Sequence, residues 1–187
     1  MLRVLIGFLL APLLLFGGFT FEERGDGAYF VTYKGEGVQV ETIFPERPSV
    51  EGSVASYINS NPLVQLNLII GPRSPSDTEE IAKSILDSVV QEYKVNQDAV
   101  TKVKEIPPVE SKAFGAVSYY AQFIIDTTDG IREFLSMNIY RSDETDVLTL
   151  TRFIITASET NNLNYRVKGN SIAALFHKRT KVQFTLE

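Results

Sequence analysis

Between Ala113 and Thr156 the chain alternates apolar and polar residues in three long runs, separated by connections too short for anything but antiparallel pairing. The first run, Ala113 to Asp126, is rich in aromatic and β-branched residues. Asp129-Gly130 marks a tight turn into the second, Ile131 to Arg141, and a polar turn from Ser142 to Asp146 leads into the third, Val147 to Thr156. A parallel crossover needs a dozen or more residues, so the three runs form an antiparallel meander. Such a sheet has apolar surface to bury, and that requirement decides what the rest of the chain must supply.

Further strands are legible upstream. Tyr29, Val31 and Tyr33 alternate up to the turn Lys34-Gly35-Glu36-Gly37, and Val38, Val40 and Thr42 alternate after it, which predicts a hairpin. It closes at Phe44-Pro45-Glu46-Arg47-Pro48, where two prolines cannot continue a central strand. Ser53 to Ile58 offers a further strand, and Leu63 to Ile70 a strong one, with Val64, Leu66, Leu68 and Ile70 on one face. Val100 to Ile106 reads as a short strand ended by Pro107-Pro108, and Val182 to Leu186 as a final edge strand.

Two helices complete the set. Ser74 as N-cap with Pro75 in the first helical position is a favoured opening, and Ser76 with Glu79 offers a capping box one turn on. Ile81, Ile85, Val89 and Tyr93 then recur every four residues with Ala82, Leu86 and Val90 beside them, an apolar stripe that ends near Lys94. Asn161 to Lys178 reads as the second helix, with Leu163, Val167, Ile172, Leu175 and Phe176 facing inward and Gly169 weakening its middle. The expected fold is therefore α+β: an antiparallel sheet of six or seven strands packed with two amphipathic helices in residues 28–187, which is enough chain for a genuine core.

Ahead of this domain, Val4 to Phe21 is an 18-residue stretch without a charge, preceded by Arg3 and followed by Glu22, Glu23 and Arg24. A membrane-spanning helix needs about 20 apolar residues, within a range of about 17 to 25. A secretory signal has an apolar region of about 7 to 15 residues and then small residues at the cleavage site. Cleavage positions are poor here, since only Gly18-Phe19-Thr20 brings small residues to the right spacing. The expectation is an uncleaved anchor in residues 1–21, its apolar contact made by Val4, Leu5, Ile6, Phe8, Leu9, Leu10, Leu13, Leu14, Leu15 and Phe16, with a cleaved signal as the alternative. Residues 22–27 form a polar linker. Arg3 stays on the cytoplasmic side in either case and the domain is exported.

Composition narrows the chemistry. The 187 residues carry a formal net charge of −5, no Cys and one His. The missing Cys removes disulfide scaffolds, thiolate metal sites, cysteine nucleophiles and lipid attachment through an N-terminal Cys. The acidic balance speaks against nucleic-acid binding. His177, beside Lys178 and Arg179 near the end of the second helix, has no ligand or triad spacing around it and reads as a surface or helix-terminal residue. The acidic turns, Asp126 with Asp129 and Asp143 with Glu144 and Asp146, lie at opposite ends of one strand and cannot share an ion. No catalytic, cofactor or metal residues are expected, and the chain reads as a non-enzyme. Tyr119 and Tyr120 send one ring to each face of the sheet, which makes the outward one a candidate docking surface.

A strand ending in Phe44-Pro45-x-x-Pro48, then a strand, an amphipathic helix, three long antiparallel strands and a C-terminal helix resembles the PsbP and DcrB-like superfamily of exported α/β/α domains over residues 28–180. That resemblance implies a non-catalytic accessory protein at the outer face of a membrane, partnered with an integral membrane complex. The alternative is an exported carrier that holds a small apolar ligand between sheet and helix. Many DcrB-like proteins are lipid-anchored through Cys, so in this chain the tether falls to the N-terminal stretch.

Overall fold

The computed structural model describes residues 17–35, 37–95, 100–113 and 116–185. In chain order the elements are β1 (Gly18–Glu23), β2 (Tyr29–Gly35), β3 (Val38–Phe44), β4 (Ser49–Glu51), β5 (Val54–Ser60), β6 (Leu63–Pro72), α1 (Thr78–Val95), β7 (Val100–Ala113), β8 (Ala116–Thr127), β9 (Arg132–Arg141), β10 (Thr145–Ile155), α2 (Leu163–Arg179) and β11 (Lys181–Phe184). The strands form two antiparallel sheets, one of seven in the order β4-β5-β6-β10-β9-β8-β7 and one of four in the order β1-β2-β3-β11. The fold class is α+β, and the meander β8-β9-β10 lies at the centre of the large sheet.

Alternation along these strands divides the core in two. Leu135, Met137 and Ile139 of β9 pack with Tyr119, Ala121, Phe123 and Ile125 of β8 beneath Ala82, Val89 and Tyr93 of α1. On the opposite face, Val64, Leu66 and Leu68 of β6 and Val147 and Phe153 of β10 meet Tyr165 and Phe176 of α2 and the inner residues of the small sheet, Val31, Tyr33, Val40 and Phe44. One helix thus covers one face of the large sheet, and α2 shares the other face with the four-stranded sheet.

Several expectations are corrected. A second sheet exists where one was expected, because β11 returns to pair with β3 (Val182 opposite Val40) and β1 adds to β2. The uncharged stretch does not serve as an anchor as far as Phe21: Gly18–Glu23 is strand β1, with Phe19 opposite Tyr33 and their rings 5.1 Å apart. Residues 22–27 are therefore the end of β1 and a tight turn, closed by Arg24 N–H on the carbonyl of Ala28, in which Gly27 takes a positive φ of 81°. The anchor residues Val4 to Phe16 lie outside the described residues. Among those described, no helix is long and apolar enough to cross a membrane.

Pro107-Pro108 does not end β7. The strand lies at the edge of the sheet, and both prolines fall in a register shift between Ile106 and Val109, where no ladder donor is needed. α1 starts at Thr78, later than the Ser74 opening predicts, and its capping box is Asp77 with Glu80: Glu80 N–H donates to Asp77 Oδ1 (2.8 Å) and Asp77 N–H to Glu80 Oε2 (3.1 Å). Ser74 is engaged elsewhere. Its N–H donates to Asp146, and the Arg141 guanidinium takes the carbonyls of Ser74 and Ser76.

The inner face of α2 is only partly the one expected. Phe176 is buried and Ile172 packs against the core as expected, but Leu163, Val167 and Leu175 point to solvent and Tyr165 and Gly169 are buried instead. Gly169, which weakens the helix by propensity, is the residue that lets it approach: a Cβ there would stand 2.2 Å from Cε2 of Phe153. Phe153 is itself held between Phe134 and Tyr165, so its ring has nowhere to go. Gly169→Ala gains about 1 kcal/mol of helix propensity but overpacks a closed core, which costs about 1–3 kcal/mol. The expected result is a net loss of stability and a lower Tm by calorimetry, restored when Phe153→Leu is added. A higher Tm for the single variant would show that α2 does not seat on this ring.

Candidate functional site

The single imidazole lies on the sheet, not on the surface. α2 presents His177 from the side that carries Phe176, and strands β8, β9 and β10 meet it with Tyr120, Ser136, Thr149 and Thr151, all placed on that face by the strand period. His177 Nε2 is 3.1 Å from Ser136 Oγ and 3.2 Å from Thr151 Oγ1, Nδ1 is 2.8 Å from Thr149 Oγ1, and the two hydroxyls of Ser136 and Thr151 share a 2.6 Å hydrogen bond. The Tyr120 ring stands edge-on to the imidazole, with centroids 5.6 Å apart. The sequence signal was the stripe Tyr165, Gly169, Ile172, Phe176, which carries His177 to the sheet once it is chosen as the inner face.

A serine hydroxyl against an imidazole is the pairing from which acyl-transfer nucleophiles are built. In this cluster the second ring nitrogen meets a threonine hydroxyl where a triad places a carboxylate, so nothing compensates an imidazolium. Burial pushes the His177 pKa down to about 4. A base that weak draws little proton density from a serine, and Ser136 is itself buried. The cluster acts as a hydrogen-bonded clasp that seats the C-terminal half of α2. Thr180 extends it: its hydroxyl lies 2.8 Å from that of Thr42 on β3 and donates to the carbonyl of Phe176.

The same face of the large sheet continues outward as a polar strip. Ser118 Oγ donates to Asn138 Oδ1 (3.0 Å), and Asn138 Nδ2 donates to the Tyr140 hydroxyl (2.9 Å). Of the two adjacent tyrosines, Tyr119 is buried beneath α1 with its pKa raised by burial and by nearby carboxylates, whereas Tyr120 is half-exposed between His177 and this strip.

On the opposite face a second polar group lies deeper. Arg152 of β10 donates from Nε to Glu133 Oε1 (2.6 Å), from Nη2 to Glu133 Oε2 (3.1 Å) and from Nη1 to Glu92 Oε2 (2.8 Å). The Tyr93 hydroxyl donates to Glu133. Burial works against the charge of Arg152, but the carboxylates of Glu133 and Glu92 outweigh it and hold its pKa above the ordinary value. Burial, then Glu133, raise that of Tyr93. Sequence reasoning passed over both buried charges, although each interrupts an apolar parity: Glu133 precedes Leu135, Met137 and Ile139, and Arg152 follows Leu148 and Leu150.

The acidic turns are matched by arginines. Asp126 pairs with Arg132 (2.6 Å), and this hydrogen bond holds its pKa below the usual value; Asp143 pairs with Arg73 (3.2 Å) and Asp146 with Arg141 (2.7 Å). Asp129 accepts from the Thr127 hydroxyl. The two turns lie at opposite ends of β9, and among the described residues no group of three His, Asp or Glu side chains could hold a metal ion. The space between α2 and the sheet, where a carried ligand would sit, is filled by Phe44, Phe153, Tyr165 and Phe176. Two grooves, of about 430 and 300 Å³, open on the surface beside the C-terminal end of α2 and beside the Asp126–Arg132 pair.

No protein-family model and no curated protein matches the chain. Among solved structures it is similar to the solution structure of cyanobacterial PsbP (CyanoP) from Synechocystis sp. PCC 6803, with a TM-score of 0.45 and 10% identity over 88% of this chain and 92% of that one.

Proposed function

We propose that the chain is a non-enzymatic accessory or assembly subunit, exported and tethered to a membrane by its N-terminal apolar stretch, and that it serves a larger membrane protein complex from the extracytoplasmic side. The observation that carries the reading is the start of β1 at Gly18. Val4–Gly17, 14 residues without a charge, leads straight into a strand, so whatever holds that stretch holds the small sheet at the same place. Fourteen residues fall short of the roughly 17 that a span requires, which calls on Arg3 to extend its charge to the headgroups or on a further contact between domain and membrane. Within the domain, the half-exposed Tyr120 beside the Ser118–Asn138–Tyr140 strip is the surface that suits a protein partner, an aromatic ring set among polar groups.

The test is purification of the full-length protein from membranes in mild detergent, with crosslinking and N-terminal sequencing of the recovered chain. The expected result is an intact N-terminus and a crosslinked membrane protein whose yield drops when Tyr120 is replaced by Ser. Recovery as a lone monomer with no crosslinked partner would overturn the accessory reading, and a chain that begins after residue 17 would overturn the tether.

A further inference from the structure

In a chain of net charge −5, the segment Leu163–Arg179 carries Arg166, Lys168, Lys178 and Arg179 and not one carboxylate. Its inner face is already spent on Tyr165, Gly169 and Phe176. The outer face nonetheless exposes Leu163 (68%), Val167 (56%) and Leu175 (40%). At 3.6 residues per turn, Leu163, Val167 and Ala174 fall within about 40° of one another in a mixed strip that also exposes Asn164, Asn170, Ser171 and Lys178, with Arg166 on one flank and Lys168 and Arg179 on the other. Exposed apolar side chains set among cations, with no carboxylate, suit a negatively charged surface that is apolar beneath.

The strip opens at its C-terminal end into the groove of about 430 Å³, where Leu175 joins Phe30 and Ile43 from the outer face of the small sheet. Lys178, Arg179 and Lys181 stand over that apolar floor, against a single lining carboxylate, Glu41, to which the Gln39 amide already donates. Among the described residues, Arg166, Lys178, Arg179 and Lys181 form no ion pair, although most other arginines of the domain do. The small sheet also carries β1, into which the uncharged Val4–Gly17 stretch leads, three strand spacings or about 14 Å from β11. Gly18 falls in register, through Lys34, with Gln39 and Gln183, two residues along from the Glu41–Lys181 pair that lines the groove, so the tether and the groove share the small sheet.

We propose that the outward face of α2, with the groove at its C-terminal end, lies against the headgroups of an anionic bilayer. The cations supply the attraction to the negative surface, and Leu163, Val167 and Leu175 leave water for the headgroup boundary. The inference rests on the reading that the domain faces a membrane, and it provides the further contact that a 14-residue tether requires.

Because the chain has no Cys, a single label can be placed without other changes. Full-length protein with Val167→Cys, carrying a polarity-sensitive nitrobenzoxadiazole, is reconstituted in vesicles of phosphatidylcholine alone and of phosphatidylcholine with phosphatidylglycerol. The expected result is a blue shift and quenching by nitroxide lipids only in the anionic vesicles, abolished by raised salt and by the added substitutions K178E, R179E and K181E. A label at exposed Val109→Cys on β7 is the control and stays water-like throughout. A Val167→Cys label that remains in water in anionic vesicles, or shifts equally in neutral ones, overturns the proposal. So does shielding that occurs only in native membranes, since it points to a protein on this face. N-terminal sequencing of the same sample separates failure of the α2 contact from failure of the tether.

Discussion

Arg152→Ala is expected to lower the stability of the domain by about 3–5 kcal/mol, a large share of the 5–15 kcal/mol typical of a folded protein. The size follows from what remains behind. Glu133 is 0% exposed and Arg152 3% exposed, and Glu133 accepts two hydrogen bonds from the guanidinium and one from Tyr93. Removing the arginine leaves a carboxylate between α1 and the sheet with one neutral donor and no countercharge, which is the costly way to break a buried pair. Replacing both partners by apolar groups of similar size, Glu133→Leu with Arg152→Met, removes the orphaned charge and is expected to recover most of the loss. Glu92→Gln is expected to cost much less, because that carboxylate is the more exposed end of the network. Urea unfolding of the set measures all three, with the midpoint as the readout at constant m. A loss below about 1 kcal/mol for Arg152→Ala would mean that water reaches Glu133 and that the network is not a dry one.

The parts of this fold that were legible in the sequence are those in which local pattern and burial coincide. Strands β8, β9 and β10 alternate because their α1 face is almost wholly apolar while the opposite face carries Ser118, Ser136, Asn138, Thr149 and Thr151, and their short connections leave antiparallel pairing as the sole option. Leu63 to Ile70 was legible for the same reason, since Val64, Leu66, Leu68 and Ile70 all enter one core. What was lost depends on partners far away in sequence. β1 looks like the tail of an apolar run until Phe19 is seen opposite Tyr33, and the small sheet exists only because β11 returns to β3 across about three quarters of the chain.

The misread face of α2 has a different cause. Leu163, Val167 and Leu175 are apolar by type, and residue type alone gives them the core along with Ile172 and Phe176. The inner face was chosen instead by shape. Gly169 allows contact with Phe153 at a distance no side chain could tolerate, and Phe176 meets Phe44 of the small sheet at 5.0 Å. A residue that reads as a propensity defect was the marker of close packing. His177 was misplaced with the helix, and the two buried charges were overlooked because no local rule pairs residue 133 with residue 152. The candidate site was therefore less legible than the fold: its residue types were visible, but their convergence was not.

Acidification from pH 6.5 to about 4 is expected to remove on the order of 3 kcal/mol of stability through His177 alone, in addition to what the carboxylates contribute. Among the described residues, the groups that meet the imidazole are neutral: Ser136, Thr149 and Thr151 through their hydroxyls, and Tyr120 and Phe176 through their rings. Burial therefore disfavours the imidazolium, and the folded pKa falls to about 4 while the unfolded chain keeps the ordinary 6.5. Between those values the unfolded state holds the extra proton. Stability from this residue is complete above about pH 6.5, declines as pH falls, and is fully lost below about 4. The slope approaches about 1.4 kcal/mol per pH unit in the middle of that window. Unfolding midpoints measured across it for the wild type and for His177→Gln are expected to differ in slope by nearly one proton, with the variant less stable at neutral pH and flatter toward acid. Because His177 seats α2 through β9 and β10, hydrogen exchange of the last two turns of α2 is expected to quicken before the sheet loosens. Parallel slopes for the two proteins would show that the imidazole is already charged, or already in water, in the folded state.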